Sequence, residues 1–329
     1  MALLLKGGND MTKKFVGRIL FSVLIFFVLT FFVFALSNMM KGNAVDAMLA
    51  QNPRMTQETY NQLLEERGLN LPIPVRYWKW LSGFLQGNMG TCELYGRPVS
   101  EILSERIGPT LILNAAALVL AVVISIPLGI MAAYKPYSLW DNVSSFFSFV
   151  GASMPSFMLA LMGIYLFAVK LQWLPTQGMY YTNEPRTFGN LCIHLVLPAL
   201  IAAFQMVGGI LKQTRGSVLE VLNEDYIKTA RSKGLKENVV VIKHALRNAL
   251  IPIITTIGLN IPYLVGGSVV METIFSWPGI GSFLITSINS RDFDPIMGVT
   301  VVICAVTLLT SMLLDIIYMF VDPRVGKGK

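Results

Sequence analysis

Few side chains in this 329-residue chain are of a kind that performs covalent chemistry, and none stands in a catalytic arrangement. The two histidines, His194 and His244, belong to no HExxH pattern, which would put two zinc ligands on one helix face beside a general base. Cys92, Cys192 and Cys304 form no CxxC pair. No GxSxG nucleophile turn and no GxxxxGK[ST] phosphate loop occurs, so any energy source must lie outside this chain. No catalytic residue and no metal-ligand set is assigned.

The concentrated signal is one of contact. The segment Asn223-Glu-Asp-Tyr-Ile-Lys-Thr-Ala-Arg-Ser-Lys-Gly234 reads as a deliberately capped helix of ten residues. Asn223 is the expected N-cap, with Glu224 and Asp225 in the first turn. Arg231 and Lys233 fall in the last turn, and Gly234 stands where a left-handed residue ends a helix. Acid at the start and base at the end both complement the helix dipole. Tyr226, Ile227 and Ala230 give it a small apolar face. A second amphipathic run, Val239–Leu250, carries Lys243, His244 and Arg247 and leads towards Pro252. Such basic helices can lie on anionic lipid. A tightly capped short helix ending in a forced turn fits a docking element for a cytosolic partner better, because lipid binding needs neither feature.

The elements that must position this segment are membrane spans. The chain is 54% hydrophobic and 14% charged, with a mean hydropathy of +0.60, against about 25% charge in soluble domains. Runs without Asp, Glu, Lys or Arg cover Ile19–Met40, Ile107–Tyr134, Asn142–Val169, Leu191–Leu211, Asn248–Met271 and Pro295–Leu314. Each is long enough to cross a hydrocarbon layer of about 30 Å as a helix. The expected fold is all-α: a polytopic membrane protein with six transmembrane helices, the first an uncleaved span. Prolines 127, 155, 198, 252 and 262 and glycines 129, 208, 209, 266 and 267 fall inside these runs. They kink helices or let them approach closely.

Charge sets the expected orientation. With both termini cytoplasmic, the inner segments 1–18, 135–141, 212–247 and 315–329 hold 16 Lys and Arg in 76 residues. The short outer loops 170–190 and 272–294 hold 3 in 44, a threefold lower density. The long outer loop 41–106 carries seven basic and seven acidic residues and crosses regardless of charge. The net charge of +7 is thus read as an orientation signal, with no nucleic-acid partner. Within the outer loop, Thr56–Arg67 reads as a capped polar helix. The stretch from Pro74 to Leu85 reads as an aromatic-striped helix anchored at the lipid boundary by Trp78 and Trp80. The domain plan is a cytoplasmic tail 1–14, one transmembrane domain 15–323 with a cytoplasmic loop 212–247, and a tail 324–329. Met11-Thr-Lys-Lys-Phe15 is a second candidate start, so Met1–Asp10 carries no functional argument. No mid-span ionisable group marks a proton path, and His194 is expected to be a hydrogen-bonded structural histidine.

The segment Glu224-Asp-Tyr-Ile-Lys-Thr-Ala-Arg-Ser-Lys-Gly-Leu235, followed by His244-Ala-Leu-Arg-Asn-Ala-Leu-Ile-Pro252, resembles the EAA loop of ABC-importer permeases. Its variant is that of the dipeptide, oligopeptide and nickel branch. Lys228-Thr-Ala230 stands where the general pattern has Glu-Ala-Ala, and His244-Ala-Leu-Arg247 replaces Ile-x-Leu-Pro. Both departures are typical of the peptide branch, and Gly234 is kept. Arg76-Tyr-Trp-Lys-Trp-Leu81, Gly87-Asn-Met-Gly90, Met154-Pro-Ser-Phe157, Trp173-Leu-Pro-Thr-Gln-Gly178 and Glu272-Thr-Ile-Phe-Ser-Trp-Pro-Gly-Ile-Gly281 extend the likeness along nearly the whole chain. The long outer loop resembles that of the B-type subunit.

The resemblance implies a type I, MetI-like permease fold in a bacterial or archaeal cytoplasmic membrane, forming half of a heterodimeric pore. It implies a second permease, two cytosolic ABC ATPases, an extracytoplasmic substrate-binding protein and surrounding lipid as partners. This chain itself would need no cofactor, with ATP and Mg held by the ATPases. Coupling to the ATPases would fall to Glu224, Asp225, Tyr226, Thr229, Ala230, Arg231, Gly234 and Leu235. Ser153, Ser156, Asn260 and Tyr263 are the candidates for the translocation path. The expected cargo is di- or oligopeptides, with nickel or another small solute as the alternative. A non-transporting scaffold or receptor is the rival of a different class, and it leaves the capped docking loop without a purpose.

Overall fold

Proline and glycine decide where the long apolar runs stay continuous and where they break. The computed structural model describes residues 2–39, 56–66, 68–262, 264 and 269–321. Five helices among them are long and apolar enough to cross a membrane: Val16–Met39, Val99–Tyr134, Phe188–Leu222, Val240–Gly258 and Phe293–Leu314. A sixth crossing is available only if the bent pair Leu139–Ser153 and Ser156–Lys170 is counted as one.

In chain order the helices are α1 (Ala2–Met39), α2 (Gln57–Glu66), α3 (Ile73–Leu85) and α4 (Val99–Tyr134). A two-stranded antiparallel hairpin, β1 (Thr91–Cys92) and β2 (Arg97–Pro98), precedes α4. Next come α5 (Leu139–Ser153), α6 (Ser156–Gly163, continued by the π-helical turn Ile164–Lys170) and α7 (Phe188–Leu222). After α7 come α8 (Asp225–Ser232) and α9 (Glu237–Val239), and a π-helical stretch Val240–Ala245 joins α9 to α10 (Leu246–Gly258). Then come α11 (Val269–Ile274), α12 (Ile280–Ser290) and α13 (Phe293–Val321). Two compact units result: Met1–Gly108 with Ile280–Leu313, and Pro109–Gly279 with Leu314–Lys329.

Two expected spans differ from single helices. The run 142–169 is bent by 107° between α5 and α6. Met154 is extended at ψ 133° and Pro155 follows at ψ 137°. A residue before proline is driven out of the helical region, which makes a break here where an isolated kink was expected. The run 248–271 starts earlier, within the helical stretch from Glu237, and its regular helix ends at Gly258. Pro262 has no N–H with which to continue the ladder. Gly266 and Gly267, like the tail 324–329, lie outside the described residues. By contrast Pro127, Pro198 and Pro252 sit inside unbroken helices, as neighbours in a bundle permit.

In the first unit, α3 lies on α1. Thr30 Oγ1 and the Tyr77 hydroxyl are 2.9 Å apart, and Phe34, Tyr77, Leu81 and Met297 form a buried cluster. The aromatic stripe thus faces α1 with Tyr77 and leaves Trp78 exposed, as an interfacial anchor requires. Thr56 caps α2, accepting from Thr59 N at 3.3 Å. The hairpin is pinned by two carboxylates: Asp292 accepts from Glu93 N at 2.7 Å and Leu94 N at 3.3 Å, and Asp294 accepts from Thr91 N at 3.1 Å.

In the second unit the core is built from Leu113, Leu197, Ile210, Leu211, Met271, Phe275 and Trp277. Glu272 is fully buried and accepts from the Thr110 hydroxyl at 2.8 Å, while the Trp277 indole donates to the Pro109 carbonyl at 2.8 Å. His194 is buried, with Nδ1 2.9 Å from the Asn190 carbonyl and its ring edge-on to Tyr181. Among the described residues every buried side-chain nitrogen or oxygen has a partner, as a bilayer demands.

Candidate functional site

The candidate site is the segment around α8, and its placement begins with α7. At 35 residues α7 is about 52 Å long, far more than the ~30 Å hydrocarbon layer. The helix is thus longer than one crossing needs, and α8 follows directly on its C-terminal end. Asn223 is the C-cap of α7, its Nδ2 donating to the Leu219 carbonyl at 3.0 Å. The expected N-cap role of Asn223 is therefore corrected: Glu224, at ψ 148° and without a side-chain cap, precedes α8. Continuation of α7 to Leu222 leaves Asn223 inside the end of that helix, and α8 has eight residues rather than ten.

Two apolar side chains seat α8 on the body. Ile227 is 0% and Ala230 8% exposed, and both belong to one buried cluster with Ala133, Val218, Leu222, Val240, Val241 and Ala245. The small Ala230 lets the helix lie close. Gly234 follows at φ +74°, a conformation that L side chains rarely adopt, with its N–H donating to the Arg231 carbonyl at 2.9 Å. The outward side presents Glu224, Asp225, Tyr226, Thr229 and Leu235, all exposed.

Two expected contact charges are engaged within the segment. Lys228 Nζ donates to Asp225 Oδ1 at 2.8 Å and holds its carboxyl below the usual carboxylate range. Arg231 reaches Glu237 at 2.7 Å through one guanidinium nitrogen and at 3.2 Å through Nε, tying α8 across the Gly234 turn to α9. Thr229 Oγ1 donates to the Asp225 carbonyl at 3.0 Å. The Tyr226 hydroxyl accepts from Asn248 Nδ2 at 2.6 Å, linking α8 to the start of α10. The sequence reading did not single out Glu237 and Asn248, because each lies beyond the capped helix itself.

The four translocation-path candidates are not gathered into one cluster. Ser153 and Ser156 flank the Met154–Pro155 break, the first exposed and the second half-buried. Asn260 donates to the Thr256 carbonyl at 2.8 Å. Tyr263 lies outside the described residues. An apolar cavity of about 800 Å³ opens in the elbow of α5 and α6, lined by Leu128, Phe147, Met162, Leu197 and Phe204, without either serine.

Residues 125–327 match the family of binding-protein-dependent transport system inner membrane components, and residues 11–100 match the N-terminal region of such components. The chain belongs to this permease family. The oligopeptide transport system permease protein AppB of Bacillus subtilis is 40% identical over 96% of this chain and 99% of its own. The dipeptide transport system permease protein DppB of Alkalihalophilus pseudofirmus is 33% identical over 94% of this chain and 97% of its own. Among solved structures, a chain of the inward-facing MetNI methionine ABC transporter superposes with a TM-score of 0.51 at 17% identity. It covers 68% of the permease and 97% of that chain, and it supports the MetI-like fold. The permease is thus a multi-pass membrane transport component, and its candidate site is a short helix set at the C-terminal end of α7.

Proposed function

We propose that this permease is one half of a heterodimeric pore for di- or oligopeptides in a bacterial or archaeal cytoplasmic membrane, with both termini cytoplasmic. The observation that carries the coupling role is the build of α8: Ile227 and Ala230 fix one side, and Tyr226, Thr229 and Leu235 are left outward. The peptide cargo is supported by the relatives whose names state oligopeptide and dipeptide transport. The orientation is supported by the basic residues concentrated in 1–18, 135–141, 212–247 and 315–329.

In this reading two cytosolic ATPases hold ATP and Mg, and α8 seats in a groove of one of them. Glu224, Asp225, Tyr226, Thr229, Arg231 and Leu235 make the contact, while Ala230 and Gly234 permit it. Closure of the ATPase pair moves α8 and opens the pore outward, where an extracytoplasmic binding protein delivers peptide. Peptide then passes between the two permeases near Ser153, Ser156, Asn260 and Tyr263. The test is purification in mild detergent followed by mass spectrometry. A second permease and two ATPases should accompany the wild-type chain and be lost from Tyr226→Ala and Gly234→Val, with ATP-dependent peptide uptake lost as well. Purification of the chain alone, or uptake intact in both variants, would overturn the reading.

A further inference from the structure

The second unit contains a seam that the docking loop does not explain. α5 and α7 pack along their length, fastened at both ends of the shared stretch. At the cytoplasmic end Arg215 grips Asp141 with two hydrogen bonds, Nε to Oδ1 at 2.6 Å and a terminal nitrogen to Oδ2 at 2.8 Å. Asp141 is almost fully buried and also accepts from Tyr137 N at 2.8 Å, so its position is fixed from both sides. Towards the break, a side chain added at Gly208 of α7 would come within 2.7 Å of the Ser148 carbonyl of α5. One added at Gly151 of α5 would come within 2.7 Å of the Phe204 carbonyl of α7. Backbone meets backbone there in both directions.

We propose that Asp141 and Arg215 are positioning residues for coupling: they fasten α5 to α7 so that movement of α8 reaches the break at Met154–Pro155. This rests on the docking role proposed above for α8. α7 passes into α8 through Asn223 and Glu224 alone, whose N–H groups bond back to the Glu220 and Val221 carbonyls at 3.1 Å each. No flexible linker intervenes, so displacement of α8 is displacement of α7. A bidentate pair fixes distance and angle together, and close-packed helices respond as rigid bodies rather than by deforming. α5 therefore travels with α7, and its far end, Ser153, is where the chain turns by 107°. ATPase movement is thus delivered to a proline break flanked by two of the candidate path residues.

The test uses the full assembly in proteoliposomes, with ATP hydrolysis and peptide uptake measured on the same vesicles. Asp141→Asn and Arg215→Gln should leave the ATPases bound and hydrolysis present, and should raise the ATP consumed per peptide by about fivefold or more. A structural role alone would lower both activities together. In a background with Cys192 and Cys304 changed to Ser, the pair Asp141→Cys and Arg215→Cys should uncouple. A short bis-methanethiosulfonate reagent, which joins the two thiols by displacing methanesulfinate from each end, should bring the ratio back. An unchanged ratio in the single variants, parallel loss of both activities, or no recovery on bridging would overturn the clamp. Loss of the ATPases themselves from Tyr226→Ala alone would leave the docking reading in place, whereas retention would remove it, so the two readings fail separately.

Discussion

Between Asp225 and Ser232 two turns of helix rest on the permease through Ile227 and Ala230, with their charges paired in water as Asp225–Lys228 and Arg231–Glu237. Along α5 and α7 the contact is made instead by glycines that bring backbone to backbone and by a shielded Asp141–Arg215 pair. The first arrangement places a small element firmly while keeping its outer side free. The second makes two long helices behave as one. Exposed ion pairs contribute little to stability, whereas removing one partner of a buried pair leaves an uncompensated charge. The docking and transmission proposed for these two regions thus rest on different kinds of interaction, and substitutions should separate them.

The largest effect is expected at the seam. Gly208→Leu drives a side chain into the Ser148 carbonyl, and overpacking of this kind costs about 1–3 kcal/mol. The purified permease should lose thermal stability in detergent and uptake should collapse. Gly234→Val comes next and sharpens the contrast. A β-branched residue at φ +74° is strained by about 1–2 kcal/mol, but only in an exposed turn. Uptake should fall more than about tenfold while membrane abundance and the melting temperature stay near wild type. Equal destabilisation by both changes would break the distinction.

Tyr226→Phe should be milder than Tyr226→Ala, because it removes the bond from Asn248 while keeping the ring on the outward side. The ratio of ATPase recovered with each variant in affinity purification measures this. Smallest is Lys228→Ala. Its pair with Asp225 is fully exposed, so the melting temperature should be unchanged, with at most a modest loss of uptake.

The same contrast explains what could be read from the chain. The capped helix announces itself because its determinants fall within a dozen residues: acids at the start, Arg231 near the end, Gly234 after it. Its start differs because Asn223 is claimed by α7, and no local signal tells a residue which of two abutting helices it closes; its end differs by one residue, with Lys233 as the C-cap. The family motifs and apolar runs also made the membrane class and the permease family legible. Asp141 and Arg215 are 74 residues apart, and each is individually an unremarked loop charge, so their pairing exists only in the folded chain. Gly208 was recognisable as a packing glycine, whereas its counterpart Gly151 became meaningful only opposite the Phe204 carbonyl. Pro155 signalled a kink. The 107° turn depends on Met154 and Pro155 both being extended.

The most direct test of the central claim is site-specific crosslinking from Thr229→Cys, on the exposed side of α8, in membranes that contain the partner ATPases, with Glu93→Cys on the hairpin as the outer control. The account predicts an adduct between Thr229→Cys and an ATPase, absent from Glu93→Cys, with a yield that changes when ATP is added. Uptake-competent membranes that give no such adduct, or the same adduct from both positions, would contradict it.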